Sequence, residues 1–167
     1  MNSQFLIEKL ENSKEFLDFK KKNKDLYLCS GFFVIDLETK VPENKYHFDF
    51  YIPSSKKTFS FELEDGIKLL ELEIRDEMAL EEIPLDFSFD FDELKEMILN
   101  EMTKNKITNK LQKLIFSLQR KDGKDVLLGT IFLSGLALLK VNISLPNKEI
   151  TEFEKKSFFD MMKIVKK

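Results

Sequence analysis

Leu6, Leu10 and Leu17 fall at i, i+4 and i+11, one stripe of a helical period, and Phe16 and Phe19 widen it. This predicts a helix over residues 3–22, ending in Lys20-Lys21-Lys22, where cations meet the negative end of the helix dipole. The period then changes to two. Residues 26–37 are rich in aromatic and β-branched side chains, with Gly31 as a candidate bulge. Phe48, Phe50 and Ile52 alternate with His47, Asp49 and Tyr51; Phe59, Phe61 and Leu63 alternate with Ser60 and Glu62. Pro53-Ser54-Ser55-Lys56 is the turn between these two strands. Leu70, Leu72 and Ile74 suggest one more strand, and residues 76–89 read as a connector.

A second helix opens at Asp90, a natural N-cap with Glu93 three positions on, and carries Leu94, Met97, Ile98 and Met102 as its stripe. A meander follows. Leu114, Phe116 and Leu118 alternate, and Lys121-Asp122-Gly123-Lys124 is a hairpin signal because Asp-Gly tolerates positive φ. Residues 126–133 are apolar on both faces and read as a central strand. Ala137 to Leu145 form the clearest alternation. Thr151 and Glu154 fit the capping box of a closing helix with Phe158, Met161, Met162 and Val165 as its stripe.

Together these patterns predict an α+β fold, antiparallel strands in one or two sheets packed against helices. Two tandem helix-plus-meander units are expected, residues 1–78 and 79–167, with a single continuous domain as the alternative. Phe48-x-Phe50-x-Ile52-Pro53 resembles Val141-x-Ile143-x-Leu145-Pro146, and each Pro precedes a Thr by five residues (Thr58, Thr151). An internal repeat and a coincidence of two ordinary strand-plus-turn patterns both account for it.

Composition narrows the chemistry. The 167 residues are 43% hydrophobic, enough for a real core. One Cys excludes a disulfide scaffold or a multi-Cys metal site, and one His excludes a His-based metal cage. The net charge is −3, and only Arg75 and Arg120 are Arg, so nucleic-acid recognition is disfavoured. The first 25 residues hold no apolar run of secretory length, and no window approaches a membrane span. A cytoplasmic chain is expected, although one with a trimmed leader reads the same. No cofactor is implied.

The second half resembles the PepSY type of small module. The residues that carry the likeness are the acid-led helix Asp90–Met102, the preceding Ile83-Pro84-Leu85-Asp86, and the final strand and turn LKVNISLPNKEI at 139–150. Two such units in tandem would be similar to β-lactamase inhibitor proteins and to broader cystatin-like folds. The chain departs from the family at Asn147 and Lys148, where Gly is usual in the final turn, and in lacking an export signal. The resemblance implies a binding or inhibitory module without active-site residues.

Candidate chemistry is sparse. His47 lies on the same strand face as Asp49, an acid–base pair in principle and an ordinary strand histidine otherwise. Cys29 is a nucleophile only if His47 reaches it; a small buried thiol is the plain alternative. Asp86, Asp90 and Asp92 form an acidic cluster without the spacing of a calcium loop, and helix-start electrostatics account for two of them. Charge segregation is the unusual feature. Residues 62–101 hold 15 acids and three bases, a balance of −12; residues 102–124 hold seven bases and one acid, a balance of +6. An acidic face of Glu71, Glu73, Asp76, Glu77, Glu81 and Glu82 would steer a basic protein partner. The plain alternative is a solvated surface whose two signs face each other within the fold. The function expected is a non-catalytic binding or inhibitory module contacting another protein. The alternatives are a small-molecule or lipid binder with a Phe-lined cavity between helix and sheet, and an enzyme working through His47. Residues 26–37, if left at a sheet edge, would also favour self-association.

Overall fold

A computed structural model describes residues 1–73 and 80–165 of the chain. The elements are α1 (Ser3–Glu11), α2 (Lys14–Lys22), β1 (Tyr27–Asp36), β2 (Lys45–Ile52), β3 (Lys57–Glu62), β4 (Lys68–Leu72), α3 (Phe91–Lys104), β5 (Leu111–Lys121), β6 (Lys124–Leu133), β7 (Ala137–Ser144), β8 (Glu149–Ser157) and α4 (Phe158–Val165). All the strands are antiparallel members of one eight-stranded sheet in the order β4-β3-β2-β1-β5-β6-β7-β8.

The expected α+β architecture of two helix-packed tandem units is therefore corrected to one continuous sheet with a few short helices. The cause is the pairing of β1 with β5, from Gly31 opposite Leu118 to Asp36 opposite Lys113. Leu28, Phe33 and Val34 are buried on β1, which is too apolar on both faces to lie at an edge. The same pairing removes the exposed edge at residues 26–37 on which self-association was expected. The two Pro-containing motifs lie on the β2–β3 and β7–β8 hairpins. Counted outward from the β1/β5 pair, these are not equivalent hairpins, so the similarity relates strands that do not correspond.

The predicted first helix is broken in two. Asn12 ends α1 and Ser13 begins α2, its Oγ accepting from Phe16 N–H at 3.2 Å. Asn and Ser compete with the helix for backbone groups and favour caps over helix interiors. The break rotates the second stripe, so that Phe16 is buried and Leu17 is 45% exposed. The predicted closing helix also starts late. Thr151 and Glu154 lie on β8, not at a helix start, and the helix begins at Phe158. Pairing with β7 satisfies this backbone, Val141 lying opposite Phe153 and Asn142 Nδ2 donating to Glu152 at 2.7 Å. A capping box offers only two hydrogen bonds against that ladder. β8 carries Glu149, Glu152, Glu154, Lys155 and Lys156, a charged strand that suits an exposed edge.

The Asp90 N-cap and the Asp122-Gly123 turn form as the sequence predicts. Asp90 Oδ1 accepts from Asp92 N–H at 2.8 Å, and Asp122 and Gly123 have φ of 52° and 74°. The irregularity in β1 falls between Leu28 and Ser30, not at Gly31. Gly31 serves packing instead, because a Cβ there would lie 2.9 Å from the Phe33 ring.

The core lies between one sheet face and α1–α3. Phe33, Phe48, Phe61 and Phe116 are fully buried, and Leu6, Leu10, Phe16, Leu94 and Ile98 cover them. Phe33 sits at the centre, its ring 5.6 Å from Phe48, 5.6 Å from Phe89 and 5.4 Å from Phe91. Such tilted and edge-to-face contacts suit the ring quadrupoles. The predicted connector supplies part of this core through Ile83, Phe87 and Phe89. It is tied down by Ile83 N–H to the Leu28 carbonyl (2.8 Å) and Ser3 N–H to the Phe89 carbonyl (2.8 Å). The short α4 lies on the other face, where Phe158 stacks 6.4 Å from Phe132.

Phe33→Ala is expected to lower unfolding free energy by about 3–5 kcal/mol in urea titrations, against little change for the exposed Phe5→Ala. Asp36 supports the loop after β1: its carboxylate accepts from the Thr39 hydroxyl and from the N–H groups of Glu38, Thr39 and Glu43. These bonds, that of the Thr39 hydroxyl foremost, bring its pKa to about 2, below the ordinary 3.8. A depressed carboxyl stabilises the fold above its unfolded pKa and loses that contribution as pH falls toward its folded one. Wild type and Asp36→Asn should therefore differ in stability above pH 3.8 and converge as pH falls to about 2, followed by denaturation at stepped pH.

Candidate functional site

The face of the sheet opposite α1–α3 gathers the titratable side chains of β2 and β3. Strand alternation turns Tyr46, Phe48 and Phe50 into the core and His47 and Asp49 outward. The β2–β3 register places His47 directly opposite Glu62, and the chain beyond β3 brings Glu64 alongside. His47 Nε2 lies 2.8 Å from Glu64 Oε1 and 3.7 Å from Glu62 Oε1. The three side chains are 16%, 26% and 24% exposed, so they are sheltered but not sealed. Phe32 of β1 flanks the imidazole, with ring centres 5.9 Å apart. Glu64 Oε2 accepts from Tyr46 N–H at 3.2 Å, which orients the carboxylate. Burial raises the Glu64 pKa, but the hydrogen bonds from His47 and Tyr46 outweigh it and hold the carboxyl below its ordinary 4.5.

The expected His47–Asp49 pair is not what the structure brings together. Residues two apart on a strand share a face but stand a full pleat repeat apart, whereas cross-strand neighbours are closer. Asp49 instead accepts from Ser30 Oγ at 2.7 Å. Glu62 and Glu64 were legible in principle. Ile52 pairs with Lys57 across the predicted turn, and five residues back from one and five on from the other are His47 and Glu62.

Cys29 is buried at the β1 irregularity, its Sγ 3.3 Å from the Asp49 carbonyl oxygen. Burial, and then the Asp49 carboxylate, push the thiol up to about 12, the opposite of an activated nucleophile. Asp90 and Asp92 each lie 3.6 Å from the N-terminal ammonium, and Asp90 also caps α3. Asp86 is exposed on the connector. The phenylalanines between helices and sheet pack ring on ring.

The acidic face divides between the β4 edge and the connector. Leu72 pairs with Thr58, Thr58 with Tyr51 and Tyr51 with Tyr27, whose hydroxyl donates to the Leu80 carbonyl at 3.1 Å. Glu71 and Glu73 therefore sit at one end of that row, and Glu81 and Glu82 at the other. All four are exposed. Glu71 meets Lys57 at 3.5 Å, a solvated pair of small energetic value. Asp76 and Glu77 lie outside the described residues.

No protein-family model matches this chain, and no curated protein matches it. Among solved structures it is similar to a candidate lipoprotein of Clostridium difficile 630, with a TM-score of 0.55 and 13% identity over 85% of this chain and 90% of that one. That likeness shows the fold, a mostly sheet architecture. Among the described residues, no helix is long and apolar enough to cross a membrane.

Cys29 is expected to resist a thiol reagent at about pH 8 in the folded chain and to react fully once the chain is unfolded in guanidinium. Rapid labelling of the native protein would contradict the burial described.

Proposed function

We propose that this chain is a non-catalytic binding module whose acidic rim engages a basic surface of another protein. The observation that supports it is how the two charge blocks sit in the fold. Among the described residues, the one ion pair joining residues 62–101 to residues 102–124 is Lys104–Glu101, 3.9 Å apart within a turn of α3. Arg120 is spent on Asp125, 2.9 Å away and outside the acidic block. Among the described residues, the two blocks therefore make no other ion pair with each other. Glu73, Glu81 and Glu82 have no cation within ion-pairing reach among the described residues.

Uncancelled charge on one rim raises the encounter rate with an oppositely charged protein and sets its orientation. The partner is read as a Lys- and Arg-rich protein surface rather than a nucleic acid, which the rim would repel. The reading needs no cofactor and no membrane anchor, and it holds in the cytoplasm as in any other aqueous compartment.

A photo-crosslinking residue at Leu80 on the rim, set against one at Phe5 on the helical side, tests it in the source cell. A protein adduct is expected from position 80 alone. Its yield should fall at least about tenfold in Glu73→Lys/Glu81→Lys/Glu82→Lys and decline as ionic strength rises. An adduct indifferent to both changes, or none from position 80, would overturn the proposal.

A further inference from the structure

We propose that His47, Glu62 and Glu64 form a site for one divalent transition-metal ion, with zinc as the best fit. The donors are one imidazole nitrogen and two carboxylate oxygens, a set that suits zinc and its neighbours better than calcium or magnesium, which favour all-oxygen shells. The composition excludes a cage of several histidines, but it does not exclude this set. Here the carboxylates of a neighbouring strand complete what a single histidine begins.

Geometry carries the proposal. One donor atom from each residue lies within 4.8 Å of the other two. A tetrahedral ion with bonds of about 2.0–2.2 Å needs donors about 3.3–3.5 Å apart. The present separations of 2.8 Å and 3.7 Å from His47 Nε2 straddle that value, so small side-chain rotations suffice. The backbone beneath is rigid, because His47 and Glu62 are paired residues of adjacent strands. Tyr46 N–H holds Glu64 Oε2 and leaves Oε1 toward the imidazole, the outer-shell support that ligating carboxylates need.

Charge points the same way. Two carboxylates around one imidazole leave the cluster negative whichever form the ring takes. Lys68, opposite Glu62, turns its ammonium to Asp65 at 3.6 Å, and among the described residues neither it nor Lys45, two residues from His47 on β2, forms an ion pair with Glu62 or Glu64. Phe32 covers one side and limits water there. Three protein donors leave a fourth position for water or an external ligand. The site is separate from the acidic rim, since Glu62 and Thr58 lie toward opposite ends of β3, and the two readings stand or fall independently.

The test is titration of zinc, and of cobalt(II) as its spectroscopic stand-in, into the chelator-treated full chain. One ion per chain is expected, with a dissociation constant on the order of micromolar or tighter and a visible cobalt absorption typical of low coordination number. His47→Ala, Glu62→Gln and Glu64→Gln should each weaken binding at least about tenfold and abolish the cobalt band, while Glu11→Gln changes neither. Zinc should raise the melting temperature of wild type but not of His47→Ala. Circular dichroism checks the fold of each variant. Should His47→Ala fail to fold, the two Gln variants on the exposed face decide. No stoichiometric binding, binding unchanged by all three substitutions, or full displacement by millimolar magnesium would each overturn the site.

Discussion

The antiparallel ladder between β1 and β5 is the constraint on which the rest of the molecule depends. It runs from Gly31–Leu118 to Asp36–Lys113 and makes one eight-stranded sheet from what would otherwise be two four-stranded meanders. Phe33 and Phe116 are paired residues on this ladder, and both are fully buried. They fix where the helices lie. Phe91 at the start of α3 packs against Phe33, and α1, α2 and the Ile83–Phe89 segment close around the same rings. Gly129 belongs to this arrangement too. A Cβ there would meet the Val141 carbonyl at 2.9 Å and the Phe116 ring at 3.1 Å.

Because the large apolar side chains are committed to the helical face, polar chemistry collects on the other face and along the rim. His47 and Glu62 stand on strands whose alternate residues are Phe48, Phe50 and Phe61 in the core, and Glu64 follows two residues beyond β3. One face thus holds its neighbour in place: the tighter the aromatic packing behind β2 and β3, the less freedom the imidazole and the two carboxylates have to move apart. The acidic rim is built differently, on an edge strand and an irregular segment, so that in the proposed contact charge rather than geometry would do the recognising.

Much of the local structure was legible in the sequence. Alternation located β2, β3 and part of β4, composition located β1, and the Asp90 cap and Asp-Gly turn are short-range features whose chemistry is local. What escaped was decided at long range. No local pattern shows that residues 26–37 and residues 113–118 pair, and that pairing turned two expected units into one sheet. The Thr151-x-x-Glu154 signal was a true local preference overruled by an available neighbour in β7. The site was half legible. His47 was an obvious candidate, but its partner was sought along the strand at Asp49 rather than across the turn at Glu62.

The β1–β5 ladder also sets an order of assembly. Its partners are drawn from positions as distant as Gly31 and Leu118, so joining them closes a long loop at an entropic cost that adjacent hairpins do not bear. The meanders β1–β4 and β5–β8 are made of sequential neighbours and can zip up early. Until the two meet, β1 and β5 each present a bare, greasy border, and the nascent chain passes through a stage more prone to clump than either its unfolded or its finished form.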